Sequence, residues 1–231
     1  MKTYQQKQQD LFDFIEQSFK AGQNPSTISP TTEDFENDNR ISLTSAVFPD
    51  SDLQQKINEK IIIPLKQIDP NLFFYQPDRL HCTIKNIRVI NYPPDFSQET
   101  IEKAKQVLAK VIPKHHSFKI HFQGLFDLPV SLALRGYCGE ELGELVKELI
   151  SELEKAGIPD NKKYASSEVF FGNITLCRYP QKPNQEFFEK NKQLKSVEIG
   201  DLEVNTIKLF TSNIVLAPQT KNIIESFDLN S

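Results

Sequence analysis

The segment RLHCTIK, residues 79–85, alternates polar and apolar side chains with the period of two that is typical of a half-buried β-strand. In such a strand His81 and Thr83 project from one face together with Arg79 and Lys85, and the apolar residues between them point to the core. An imidazole, a hydroxyl and two cations on one face can hold a phosphate and move a proton near neutral pH. A lone three-residue motif also arises by chance on a solvated edge strand, so a second signature is needed.

A second segment, NITLCRY at residues 173–179, repeats this arrangement one structural half further along the chain. Asn173 and Thr175 share one face of the strand, and Arg178 follows closely. Alternation turns Arg178 away from Thr175, so we rank its contact with a bound phosphate below that of Lys85. Two polar-x-Thr strands in matching halves predict one shared phosphate site.

Along the rest of the chain, the order of predicted helices and strands indicates an α+β domain. Its helices would pack on the outside of sheets that are mostly antiparallel. Apolar residues at helical spacing and capping residues predict helices at 3–20, from 51, from 97, at 141–155 and at 186–194. Alternating or apolar runs predict strands at 41–47, 72–76, 79–90, 118–122, 130–137, 169–179, 197–210 and 213–217. Pro77 and Asp78 predict a hairpin between the second and third of these strands.

Composition limits the classes of partner and the compartment. The chain has 231 residues, 27 basic and 31 acidic side chains and a net charge of -4, which argues against broad nucleic-acid or membrane binding. The three cysteines form no C-x-x-C, and neither a secretory signal nor a membrane-spanning run is visible, so we expect a cytoplasmic protein. We expect three parts: a helix at 1–20, a polar linker at 21–39 and the main domain at 40–231.

Together the two signatures resemble those of the two-histidine (2H) phosphoesterase superfamily, which includes bacterial 2′-5′ RNA ligase-like proteins and cyclic phosphodiesterases. That family carries one H-x-T/S motif in each lobe, and the two motifs face each other across a cleft. LHCTI at 80–84 matches the first motif, and 173–179 matches the second, except that Asn173 stands where the family has histidine. The resemblance covers roughly residues 40–229 and implies a bilobal, pseudo-twofold α+β fold with two antiparallel sheets around a central cleft.

The resemblance also implies roles for these residues. His81 would transfer a proton during reaction of a 2′,3′-cyclic or 2′-5′ phosphodiester of a nucleotide or RNA end, and Thr83 and Thr175 would hold the phosphate. Neither a metal nor another cofactor is expected, and we expect a monomer. Asn173 cannot exchange a proton usefully near pH 7, and loss of one general acid or base typically costs about 10²–10⁴-fold in rate.

Three interpretations of Asn173 stay open. The protein is a weak or specialised phosphoesterase in which another group replaces the second histidine, or a catalytically silent module that binds a nucleotide or RNA end, or a chain whose sequence was altered at this position. A fourth alternative is a vestigial cleft, with the N-terminal helix contacting another protein.

Other side chains are candidates for substrate binding or for the missing base. Besides the cations Arg79, Lys85 and Arg178, the aromatic residues Tyr137 and Phe171 are candidates for stacking on a nucleobase. We interpret the three remaining histidines as surface residues rather than as a relocated base or a metal site, because their spacing matches no ligand pattern: His115, His116 and His121.

Overall fold

The computed structural model describes residues 2–231, which form six α-helices and nine β-strands. The helices are α1 (Tyr4–Lys20), α2 (Ser51–Ile57), α3 (Ile63–Ile68), α4 (Gln98–Val111), α5 (Glu141–Lys155) and α6 (Gln185–Gln193). The strands are β1 (Ile41–Val47), β2 (Phe73–Phe74), β3 (Cys82–Asn91), β4 (Phe118–Leu128), β5 (Ser131–Tyr137), β6 (Gly172–Arg178), β7 (Glu198–Val204), β8 (Thr206–Ser212) and β9 (Asn222–Asp228).

Capping side chains determine where four of the helices begin, because each accepts a hydrogen bond from a backbone N–H that has no partner inside the helix. The caps of α1, α2, α4 and α6 are Thr3, Asp50, Ser97 and Asn184. Between α2 and α3 the chain stays helical through a π-helical turn at Asn58–Ile62. Pro64 has no N–H and its ring crowds the preceding turn, which explains the widened geometry at this point.

All nine strands belong to one antiparallel sheet in the order β7-β4-β5-β6-β3-β1-β8-β9, with β2 pairing with the end of β6. Strands β3 and β6 meet through the pair Cys82–Ile174, so two groups of four strands join at this junction. The α+β class is therefore confirmed. The expectation of two separate sheets is wrong, because the junction makes the two groups continuous.

The main hydrophobic core lies on one side of the junction, together with helices such as α2 and α5. Helix α5 packs against β3 and α2 packs against β7, and the core includes Leu80, Cys82, Ile174 and Leu176. The apolar residues of both signatures thus point into the core, as the alternation predicts. The opposite side of β3 and β6 is called the cleft face below.

Two predictions near the first signature are wrong. Phe73 and Phe74 pair with Arg178 and Cys177 of β6 instead of forming a hairpin with β3. Pro77–Arg79 form a 3-10 turn, for which proline supplies the required φ in advance. At the other end of the chain, residues 213–217 form turns rather than a strand, and the last strand is β9.

Helix α1 docks on the cleft face of β4 and β5 through a small aromatic cluster. The fully buried ring of Phe12 lies 4.2 Å from Phe171, 5.0 Å from Phe126 and 5.5 Å from Tyr137, measured between ring centroids. Tilted and edge-on aromatic contacts of this kind stabilise by about 0.5–1.5 kcal/mol each beyond the buried area. No helix within residues 2–231 is both long enough and apolar enough to cross a bilayer.

Candidate functional site

The two signatures lie side by side at the junction of the sheet. The antiparallel register that pairs Cys82 with Ile174 brings His81 opposite Thr175 and Thr83 opposite Asn173. Directly opposed residues have Cβ atoms roughly 4.5–5.5 Å apart. Four polar side chains from distant parts of the sequence therefore form one group on the cleft face.

A cavity of about 360 Å³ opens over this group, a size within the range of small-molecule sites. Six of the nine predicted site residues line it: His81, Thr83, Phe171, Asn173, Thr175 and Arg178. Thr83, Asn173 and Thr175 make no side-chain hydrogen bond with another described residue, so their polar atoms are available to a ligand.

His81 is oriented by a backbone contact and enclosed by aromatic rings. Its Nδ1 lies 2.9 Å from the carbonyl oxygen of Arg79, and since a carbonyl only accepts, Nδ1 carries the proton and Nε2 has a free lone pair. The rings of Phe48, Tyr75 and Phe210 lie 6.1–6.3 Å from the imidazole. Burial lowers the pKa of His81 to about 4, and the charges of Arg178 and Lys221 add to this lowering. The neutral, base-competent form thus dominates at pH 7.

The low pKa of His81 predicts that this residue makes the folded protein less stable as the pH falls. Below about pH 6.5 an unfolded chain protonates its histidine, whereas His81 of the folded chain stays neutral down to about pH 4. The contribution of His81 to the free energy of unfolding is therefore fully present above about pH 6.5. It falls by roughly 2–3 kcal/mol between pH 7 and pH 4.5. In urea unfolding at these two pH values, His81→Asn should lose less stability than the native protein. Equal losses in both proteins would contradict the assignment.

A β-bulge follows the threonine in each signature and changes which later residue faces the cleft. In β3, Thr83 pairs with Ala46 and Lys85 with Ser45, so Ile84 is an extra residue. Such an insertion shifts the alternation of the strand by one residue. Regular alternation would put Lys85, two residues after Thr83, on the cleft face. Because of the bulge, Asn86 lines the cavity instead.

Strand β6 has the same insertion at Leu176, since Ala133 pairs with Thr175 and Leu132 with Cys177. The third residue after Thr175 is Arg178, which lines the cavity. Its Nε donates a 2.8 Å hydrogen bond to the hydroxyl of Tyr75, which in turn donates to the carbonyl of Ile214. No carboxylate within residues 2–231 forms an ion pair with Arg178. Arg178 therefore lines the cavity, whereas Lys85 does not.

The other three predicted binding residues point elsewhere. Lys85, only 1% exposed, donates to Asp160 at 2.6 Å and to the hydroxyl of Tyr164. Arg79 lies in the 3-10 turn rather than in a strand and pairs with Glu36 at 2.6 Å. Tyr137 donates to Gln9 at 2.6 Å and is covered by α1. The expectation that Arg79 and Lys85 share the face of His81 is therefore wrong, because the turn and the bulge break the alternation.

Lys162 is a lining residue that the sequence did not indicate. It belongs to the loop between α5 and β6, and its ammonium donates to Oδ1 of Asn86 at 3.1 Å. Burial lowers the pKa of Lys162 to about 8, and the nearby charge of Lys85 lowers it further. No regular pattern surrounds Lys162 in the sequence, so only the path of the loop reveals it.

The remaining histidines lie outside the cavity lining. His115 contacts Glu148 at 2.9 Å, and His121 contacts both Glu198 and Asp201. Within the described part of the chain, His, Cys, Asp and Glu side chains form no group of three or more that could hold a metal ion. His81 is thus the one histidine among residues 2–231 that reaches this cavity.

Comparisons with known proteins give relatives both by sequence and by structure. No protein-family model matches the chain. The RNA 2′,3′-cyclic phosphodiesterase of Aquifex aeolicus (strain VF5) is 26% identical over 184 residues, which cover 76% of this chain and 92% of that protein. A crystal structure from Thermus thermophilus gives a TM-score of 0.60 at 16% identity, covering 83% of this chain and 98% of its own.

Structures of E. coli LigT complexed with ATP and with 3′-AMP give TM-scores of 0.57 and 0.54 at 14% identity, covering 84% of this chain and all of LigT. The solved structures show that this chain shares their fold, and the name of the Aquifex relative agrees with the resemblance that the two signatures indicated.

Proposed function

We propose that this chain is a 2H phosphoesterase-like protein that acts on a 2′,3′-cyclic or 2′-5′ phosphodiester of a nucleotide or RNA end. The observation that carries the proposal is the group formed by His81, Thr83, Asn173 and Thr175 across β3 and β6. The name of the Aquifex relative and the 3′-AMP complex of LigT support the same substrate class.

In the proposed reaction water attacks the phosphorus of a 2′,3′-cyclic phosphate, and His81 Nε2 takes the proton of that water. A P–O bond to the attacking oxygen forms, and the bond to one ribose oxygen breaks. The hydroxyls of Thr83 and Thr175 donate to phosphate oxygens, and the charges of Arg178 and Lys162 offset the developing negative charge. The departing ribose oxygen takes its proton from Lys162 or from solvent, since Asn173 has none to give.

The rival function is a catalytically silent module that binds the same ligand in the same cleft. Asn173 favours it, because an amide donates and accepts hydrogen bonds but does not transfer protons near neutral pH. The test is incubation of the native protein with 2′,3′-cyclic AMP, with 3′-AMP affinity measured in parallel by calorimetry. Ring opening supports the enzyme, and 3′-AMP binding without ring opening supports the silent module. Absence of both overturns the proposal.

Arg178 should matter to either function. We expect Arg178→Gln to weaken 3′-AMP binding by about 10–100-fold, because a charge-assisted hydrogen bond contributes roughly 1.5–3 kcal/mol. Lys56→Gln is the matched control, since it removes one positive charge from an exposed position on α2. Equal affinity of the two variants in calorimetry would remove Arg178 from the binding site.

A further inference from the structure

Helix α1 covers the cleft face of the half of the sheet that carries Asn173. In the register of β5 and β6, Arg135 lies directly opposite Asn173. Arg135 is only 5% exposed, and its guanidinium contacts the carboxylates of Asp13 at 3.3 Å and Glu16 at 3.1 Å, both on α1. The positive charge beside Asn173 is thus neutralised by two carboxylates of α1.

Glu16 anchors the helix through further contacts. Its carboxylate accepts hydrogen bonds from the backbone N–H of Asp127 and from Lys195, at 2.9 and 2.8 Å. These bonds and the charge of Arg135 hold the pKa of Glu16 below its usual value despite burial, so the ionised form persists. Together with the aromatic cluster around Phe12, these contacts hold α1 against the sheet. Three apolar residues of α1 line the cavity: Leu11, Ile15 and Phe19.

The segment after α1, residues 24–31, forms a strap over the same cavity. At one end Thr27 and Lys163 exchange two hydrogen bonds: the N–H of Thr27 donates to the Lys163 carbonyl, and the N–H of Lys163 donates to Thr27 Oγ1. At the other end Thr31 Oγ1 donates to the carbonyl of Tyr179 at 2.8 Å. Lys163 belongs to the loop beside β3 and Tyr179 directly follows β6, so the strap bridges the two central strands. Residues 28–30 line the cavity between these ties.

From these contacts, and resting on the proposed function, we infer that α1 and the strap restrict the site to 2′,3′-cyclic mononucleotides and exclude the cyclic ends of longer RNA chains. The cavity of about 360 Å³ is near the lower limit of ligand sites, which span about 300–1,000 Å³. A longer RNA also needs space for the nucleotides that precede its terminal nucleotide. Helix α1 fills that space on the side of β4 and β5, and the strap crosses it above the junction of β3 and β6.

The test compares kcat/KM for 2′,3′-cyclic AMP with kcat/KM for an eight-nucleotide RNA that ends in a 2′,3′-cyclic phosphate. We expect kcat/KM of the native protein to be at least about tenfold higher for the mononucleotide. The reason is that α1 and the strap would hinder the longer substrate from reaching its transition state. In Thr27→Val/Thr31→Val, which removes the two hydrogen bonds made by side chains of the strap, this preference should fall by at least about threefold. Deletion of residues 2–31 should lower it further.

Thr32→Val is the matched control, because Thr32 lies beside the strap and its side chain makes no hydrogen bond with another described residue. The preference should be unchanged in this variant. Equal kcat/KM of the native protein for both substrates would overturn the inference. An unchanged preference in a folded double variant would overturn it as well.

If the native protein opens neither substrate, the proposed hydrolysis fails but the inference remains measurable. In that case the dissociation constants of 3′-AMP and of an eight-nucleotide RNA with a 3′-phosphate are compared by calorimetry. Tighter binding of 3′-AMP that weakens relative to the RNA in Thr27→Val/Thr31→Val supports the size restriction. Equal binding of both ligands by the native protein contradicts it.

Discussion

Replacing Asn173 by histidine is expected to raise kcat/KM for opening of 2′,3′-cyclic AMP by about 10²–10⁴-fold, the contribution of one positioned general acid or base. The new imidazole would lie opposite Thr83 and diagonally across the junction from His81. It would supply the second proton-transfer group, which the amide of Asn173 lacks. Because the Asn173 side chain makes no hydrogen bond with another described residue, its replacement breaks no side-chain hydrogen bond of the fold. Initial rates at pH 7 measure the effect.

Asn173→Gln is the control for this gain, since it changes the size of the side chain without adding a titratable group. It should stay within about tenfold of the native rate, because no acid or base is gained. A histidine variant that still binds 3′-AMP but gains no activity would refute the prediction. The second proton-transfer role would then already be filled in the native protein, and Lys162 would be the first residue to examine.

Removal of His81 is expected to have the second large effect. His81→Ala should lower kcat/KM by about 10²–10⁴-fold while the affinity for 3′-AMP changes much less, because the base acts in the transition state. The backbone hydrogen bond of Nδ1 leaves Nε2 as the proton acceptor over the cavity. Phosphate binding through Thr83, Thr175 and Arg178 does not require the imidazole.

Two further variants separate chemistry from folding. His81→Asn retains a side-chain N–H that can donate to the Arg79 carbonyl, but it has no group that accepts a proton near pH 7. It should be as inactive as His81→Ala. His121→Ala removes a histidine that contacts Glu198 and Asp201 outside the cavity, and it should retain the native rate. Loss of activity in His121→Ala, or full activity in His81→Asn, would contradict the assignment of the base.

The sequence predicted which polar residues lie together because strand alternation is a local property. The period of two put His81 with Thr83 and Asn173 with Thr175, and the resemblance to the 2H family supplied the reason for the two strands to meet. Those four residues do lie together at the junction of β3 and β6. Helices with a clear apolar stripe, such as α4 and α5, were predicted for the same local reason.

What the sequence did not reveal depends on pairing between distant segments. The extra residues Ile84 and Leu176 are defined only by the strands opposite them. Alternation alone therefore could not show that Arg178 lines the cavity and Lys85 does not. The same holds for β2, whose two residues pair with β6 rather than with the neighbouring β3. Lys162 reaches the cavity from a loop, and loops carry little periodic signal.

The most direct test of the central claim, that positions 81 and 173 act on one phosphate, is the rate of the double variant His81→Ala/Asn173→His with 2′,3′-cyclic AMP. If the two side chains act together, removal of His81 abolishes the gain, and the double variant falls about 10²–10⁴-fold below Asn173→His, to the native rate or lower. If the double variant keeps the full rate of Asn173→His, His81 contributes nothing to the reaction that position 173 supports, and the shared site proposed for this cleft is wrong.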